Sequence, residues 1–105
     1  MSMGAADEIR ERVREGKYQI KLHAIQRINE RGVLPSDIRD ALLQCVLVED
    51  YPDDRRGPSC LVWGKTATGR DLHLVCGLTE ETVWVITIYD PDMDKWESPI
   101  KRRTL

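Results

Sequence analysis

His23, Arg27 and Arg31 recur at intervals of four in the segment LHAIQRINERG, Leu22 to Gly32. On a helix that spacing stacks them one above another. Histidine, with an ordinary pKa of ~6.5, takes or gives a proton near neutral pH. Arginine presents a planar fork of donors that fits phosphate or carboxylate oxygens. One helix face thus carries the groups for proton transfer beside a bound anion. Leu22, Ile25 and Ile28 form a complementary apolar side that is expected to anchor the helix. Further along, GRDLHLVCGL holds Arg70 and the second histidine, His73, and VWVITIY ends on Tyr89.

The elements that must position these groups can be read from periodicity. Asp7 to Glu15 reads as a surface helix with Ile9 and Val13 as its apolar contacts, ended by Gly16. Tyr18 to Leu22 alternates as a short strand or extended lead, and His23 to Arg31 forms the second helix, stopped by Gly32. Pro35 starts a third helix, with Ile38, Ala41, Leu42 and Cys45 as its core stripe. Val46 to Tyr51 turns β-branched and reads as a strand, closed by PDDRRGP. Strands follow over Cys60 to Thr66, Asp71 to Leu78 and Val83 to Tyr89.

Thr66 to Gly69 and Thr79 to Thr82 are short enough for hairpin loops, so these strands pair antiparallel. The expectation is an α+β domain whose helices pack on one face of the sheet, leaving the opposite face for a site. With TATG and TEET as the loops, His73 shares a face with Val75, Ile86 and Ile88, and Tyr89 shares the other with Thr87, Leu72 and Leu74. A slip of one residue exchanges those faces. After Asp90 the chain, with Pro91 and Pro99, reads as a loosely structured tail ending on the basic Lys101, Arg102 and Arg103.

A chain of 105 residues is expected to form one domain over residues 1–105, near the commonest domain size. Its 41% hydrophobic and 32% charged residues are ordinary for a globular protein, and no apolar run approaches the ~20 residues that span a bilayer. MSMGAADEIRERVREG has an acid early and no apolar block, so it is not read as a secretory signal, and a cytoplasmic location is expected. Cys45, Cys60 and Cys76 are too scattered for a zinc ribbon or a thioredoxin-like pair and read as buried, reduced thiols. No metal or other cofactor is expected.

Net charge is −2, without the basic excess that announces nucleic-acid binding on composition alone. The distribution is uneven: basic blocks from Glu8 to Arg31 and from Arg55 to His73 flank an acidic one from Gly32 to Asp54. Folding decides whether the basic blocks converge. Structural roles compete with chemical ones throughout. His23 can cap its helix, His73 can be a core residue with a satisfied ring nitrogen, and Arg27 and Arg31 can pair with Glu30, Asp53 or Asp54. Trp63 and Trp84 sit inside strands as core aromatics, and Trp96 either locks the tail over the sheet or marks a partner contact. Asp90, Asp92 and Asp94 lack the glycine and closing glutamate of a calcium loop and read as a solvated turn.

HAIQRINERG, then LPSDIRDAL, GRDLHLVCGL and VWVITIYDPDMDKW, span about Lys17 to Trp96. They resemble small bacterial domains of unknown function built on an HAxxRxxERG helix, a GRxLHxV strand and an ITxYxPxxxxW close. That group resembles the RelE/BrnT-like superfamily of toxin ribonucleases. The resemblance implies a family-like core at 17–96 preceded by the 7–15 helix and followed by a 97–105 basic tail. It further implies helices backing a curved antiparallel sheet of about four strands, an antitoxin protein as partner, and metal-independent cleavage of RNA. Cleavage by a 2′-hydroxyl needs a proton acceptor, a proton donor and positive charge on the phosphorane. His23 and His73 are the candidates for the proton roles, Arg27, Arg31 and Arg70 for the phosphate, and Tyr89 for orienting the substrate. The alternative keeps the fold and makes the basic helix face a non-catalytic docking surface for an acidic protein. An exposed sheet edge also admits a homodimer.

Overall fold

The computed structural model describes residues 4–55 and 57–102. Its first helix, α1 (Ala5–Arg14), buries Ile9 and Val13, which lie one turn apart. Asp7 Oδ2 accepts the Gly4 N–H at 3.1 Å, which satisfies an amide at the helix start. Gly16 then takes φ +75°, a left-handed turn that glycine adopts without steric cost. The chain passes through β1 (Tyr18–Ile20) into α2 (Leu22–Arg31), which ends on Gly32 at φ +66°. In α3 (Pro35–Leu43) proline occupies the first turn, where no amide is needed, and Leu34 N–H donates to Asp37 Oδ2 at 2.9 Å.

Strands β2 (Val46–Tyr51), β3 (Ser59–Lys65), β4 (Asp71–Leu78) and β5 (Val83–Tyr89) follow. The described residues form a five-stranded sheet in the order β1-β5-β4-β3-β2. The hairpin loops lie where expected, with Thr66 N–H to Arg70 O at 2.9 Å and Thr79 N–H to Thr82 O at 3.0 Å. The sheet is mixed, however, because β1 pairs parallel to β5. Val83 N–H donates to Lys17 O at 3.1 Å and Lys21 N–H to Val85 O at 2.9 Å, so β5 satisfies the backbone at both ends of β1. The reading of Tyr18 to Leu22 as a short strand or extended lead agrees with β1, but the expectation of about four antiparallel strands left out its parallel pairing. Its partner lies far along the chain, and a parallel pair needs the long connection that α2, α3 and the intervening strands supply.

The core lies between the helices and one sheet face. Ala24, Ile28, Ile38, Ala41 and Leu42 pack there against Cys60, Val62, Leu72, Leu74, Cys76, Val83, Val85 and Ile88. Gly64 permits the approach of α3: a β-carbon at that position would lie 2.0 Å from the Ala41 carbonyl oxygen. On α2 the buried stripe is Ala24 and Ile28, whereas Leu22 and Ile25 are 72% and 42% exposed. The anchoring side is therefore narrower than the apolar pattern suggested.

Two further differences concern the open face. β4 and β5 pair Cys76 with Val85 but Val75 with Thr87, so Ile86 is an extra residue in a β-bulge. An extra residue resets the alternation of faces. Ile88 then stands opposite Leu74 and Tyr89 opposite His73, which corrects the register that put Tyr89 with Leu72 and Leu74. The tail is also ordered: β6 (Trp96–Ser98) and β7 (Lys101–Arg102) form a hairpin. Trp96, 2% exposed, and Arg102, bound to Glu49 at 2.8 and 2.7 Å, fasten it across the sheet. Arg103 lies outside the described residues. No described helix is long and apolar enough to cross a membrane.

Candidate functional site

Two concavities are bordered by residues of α2 and of the open face of β5. One encloses about 630 Å³ and is lined by Arg27 and Arg31 from α2, Tyr89 from β5, and Lys95, Trp96 and Arg102 from the tail, together with Thr87, Asp90 and Asp92. The other, of about 590 Å³, is lined by His23 and Lys21 together with strand and loop residues that include Trp84 and Ile86. His23 and Arg27 join them: Arg27 Nε donates to His23 Nε2 at 3.4 Å. Accepting that bond requires Nε2 to be unprotonated.

The i, i+4, i+8 spacing thus brings His23, Arg27 and Arg31 to the rim of the open face, as one turn of helix per residue dictates. Arg31 also contacts Asp90 Oδ2 at 3.4 Å, rather than Glu30, Asp53 or Asp54. No carboxylate among the described residues pairs with Arg27. Each nitrogen of the Arg70 guanidinium makes a hydrogen bond. Its Nε and Nη2 donate to Asp90 Oδ1 and Oδ2 at 2.8 and 2.9 Å, and its Nη1 donates to the Arg31 carbonyl at 2.9 Å. The two basic sequence blocks therefore do converge, but Asp90 stands between them. Arg70, by its hydrogen bonds above all, holds the Asp90 carboxyl below its ordinary range, with Arg31 adding to the effect.

His73 and Tyr89 come together on one face, with ring centroids 5.3 Å apart in an edge-on arrangement. Their exposure differs. His73 is 0% exposed, roofed by Trp96 at 4.6 Å between ring centroids, and its Nε2–H donates to the Pro99 carbonyl at 2.6 Å. Its Nδ1 is buried without a partner among the described residues. Burial lowers its pKa, only partly opposed by the Pro99 bond. Tyr89 lines the first cavity, and burial raises the pKa of its phenol, which holds the proton at neutral pH.

Lys95, Arg102 and Asp90 also line the site; in the sequence Asp90 read as part of a solvated turn and Arg102 as part of a basic tail, and Lys95 did not stand out. The signal in DPDMDKW was a hydrophilic turn, and only the folded tail turns Lys95 and Arg102 toward Arg27. Trp84, expected in the core, is half-buried on the open face with Lys21 Nζ 4.2 Å from its ring centroid. Trp63 is likewise half-buried, its indole N–H donating to Asp71 Oδ1 at 2.8 Å. Cys45, Cys60 and Cys76 are buried and free; burial pushes the first two thiols to about 12 and about 11 and the third well up. Such thiols are poor nucleophiles and poor ligands. No group of three or more metal-ligating side chains assembles among the described residues.

The sequence model of a family described as a domain of unknown function, DUF4258, matches residues 20–90. That stretch runs from the end of β1 to Asp90, so it holds α2, the hairpin strands and the Arg70–Asp90 pair, and leaves out α1 and the tail hairpin. No curated protein and no solved structure matches the chain.

Proposed function

The chain belongs to the DUF4258 family, and from that premise we propose that it is a metal-independent endoribonuclease of the toxin type, acting on single-stranded RNA across its open sheet face. The observation that carries this is the meeting of Arg27 and Arg31 with Tyr89 in one solvent-open concavity, to which Lys95 and Arg102 add charge. A phosphate in that pocket faces cations from three elements. The resemblance to RelE/BrnT-like ribonucleases supports the same assignment. An antitoxin with an acidic segment is the partner this charge would attract.

The chemistry follows from the groups at hand. A substrate 2′-hydroxyl attacks the adjacent phosphorus and gives its proton to Nε2 of His23, whose one lone pair is freed when Arg27 turns from its 3.4 Å contact to the phosphate. As the P–O5′ bond breaks, O5′ takes the proton of the Tyr89 hydroxyl, and exchange with water resets both groups. Arg27 and Arg31 hold the phosphorane oxygens while negative charge grows on them. His73 and Arg70 are positioning residues here, the first supporting the Tyr89 ring and the second orienting Asp90 and the end of α2.

Inducible expression with growth and RNA integrity as readouts tests the assignment. The native chain is expected to arrest growth and leave RNA fragments with 2′,3′-cyclic phosphate ends. His23→Ala is expected to cut cleavage by roughly 10²–10⁴-fold, the usual range for a proton-transfer group, and Arg27→Ala to abolish the arrest. Equal behaviour of the three proteins overturns the catalytic roles. One observation favours a docking module instead: Leu22 and Ile25 stand exposed on α2, the helix that also carries the cations. Under that function an acidic partner binds with Arg27-dependent affinity and RNA is never cut.

A further inference from the structure

The second cavity shares His23 with the proposed chemistry but holds neither phosphate-binding arginine, and it is the more apolar of the two. We propose that it is a nucleobase subsite, taking the base of the nucleotide next to the phosphate held by Arg27 and Arg31. This rests on the assignment of RNA as substrate.

Three features point to a planar aromatic ligand. Trp84 presents a half-buried indole to the cavity, although the core lies on the opposite sheet face. Lys21 Nζ lies 4.2 Å from the centroid of that ring, so a base that stacks there turns the ammonium away toward its own phosphate; stacking on aromatics is how single-stranded RNA is commonly gripped. Second, the residue opposite Trp84 on β4 is Gly77. Its φ is not in the left-handed range, so the backbone makes no demand for glycine there. A β-carbon there would meet Ile86 Cδ1 at 3.4 Å and the Pro58 carbonyl oxygen at 3.9 Å, ordinary contacts, so at Gly77 the cavity is floored by backbone and a larger side chain would press on Ile86. Third, the period-two alternation of β5 puts Ile86 on the same face as Trp84, so two apolar side chains line the cavity beside Gly77.

Size and charge agree with the assignment. About 590 Å³ falls inside the ~300–1,000 Å³ range of small-ligand pockets. The polar groups on the lining, Lys21 and His23, lie on the side of α2, and His23 touches Arg27 of the neighbouring phosphate pocket. A base on Trp84 therefore places its own sugar and phosphate toward His23 and Arg27. The proton acceptor then stands between the two subsites, where a 2′-hydroxyl belongs.

Calorimetric titration of a short 2′-O-methyl RNA, which cannot be cleaved, against the same backbone without bases tests the subsite. The native chain is expected to bind the base-bearing strand more tightly. Trp84→Ala is expected to weaken that strand by roughly 5- to 150-fold, the span of one stacked base, with the abasic strand unchanged. Gly77→Val, which fills the cavity and leaves the tryptophan, is expected to do the same and keeps the test open if Trp84→Ala fails to fold. Equal native affinity for both strands, or no effect of either variant, overturns the subsite; Arg27-dependent binding of both strands would still support RNA as substrate. Trp84-dependent binding of free nucleosides by a chain whose strand binding ignores Arg27→Ala has the reverse meaning: it supports the base pocket and overturns the phosphate site. Absence of any binding overturns both.

Discussion

Asp90 decides what the arginines can do. It accepts two hydrogen bonds from Arg70 and one long contact from Arg31, so it offsets charge that would otherwise face a phosphate. Arg27, with only His23 as its partner among the described residues, is the freest guanidinium of the helix. Asp90→Asn is expected to tighten RNA binding at low salt, because a carboxylate beside the phosphate pocket is removed. Each cation released to a phosphate steepens the slope of log K against log salt by roughly 0.7 on a single strand. Fluorescence anisotropy over a salt series measures this, and an unchanged slope would show that Arg31 and Arg70 do not reach the RNA. The histidine and arginines of α2 were legible as a group from their spacing. The quenching of Arg70 was not, because Asp90 is twenty residues away in sequence and became its partner only when β4 and β5 paired.

Among the elements, α3 and β3 approach so closely that position 64 has no room for a side chain. The Ala41 carbonyl occupies the place where a side chain at position 64 would begin, and backbone on a helix cannot swing aside as a side-chain tip can. Gly64→Ala is expected to destabilise the fold by at least the ~1–3 kcal/mol of an overpacked core site. The midpoint of urea unfolding reports it, and a native-like midpoint would mean that α3 shifts freely. The stripe Ile38, Ala41 and Leu42 was readable from period alone because it is a property of one helix. The bulge at Ile86 was not readable. VWVITIY alternates smoothly, and only pairing with β4 shows that one residue has no partner. That single extra residue brings Tyr89 beside His73.

At the scale of the molecule, the tail hairpin completes the site and roofs His73. Its fastening is polar at both ends, with Arg102 on Glu49 and Pro99 on His73. Glu49, Arg102, Asp71 and Tyr89 surround the imidazole, but burial dominates and lowers its pKa below the ordinary value. The neutral ring fits, since a proton on Nδ1 would be buried without an acceptor. A depressed histidine pKa gives stability that is complete above the unfolded value of ~6.5 and is lost as pH falls below it, because the unfolded chain binds the proton first. The protection of residues 96–102 against hydrogen exchange, corrected for the slower intrinsic exchange in acid, is expected to fall between pH 7 and pH 5.5. His73→Phe, which keeps a packed ring without a titrating group, is expected to flatten that dependence. Glu49, whose carboxyl is held low by Arg102, releases only in more acid solution. An identical pH profile in the variant would show that His73 does not control the tail.

The helices, the hairpin strands, the α+β class and the basic face of α2 could all be read along the chain, because each depends on residues near one another in it. Folding settled the rest. Parallel pairing of β1, the bulge, the burial of His73 and the capture of Arg70 by Asp90 each join segments distant in sequence, where periodicity carries no information about partners. The tail hairpin, read as loose from its prolines and charges, is ordered because Trp96 found an imidazole and Arg102 a carboxylate on the open face.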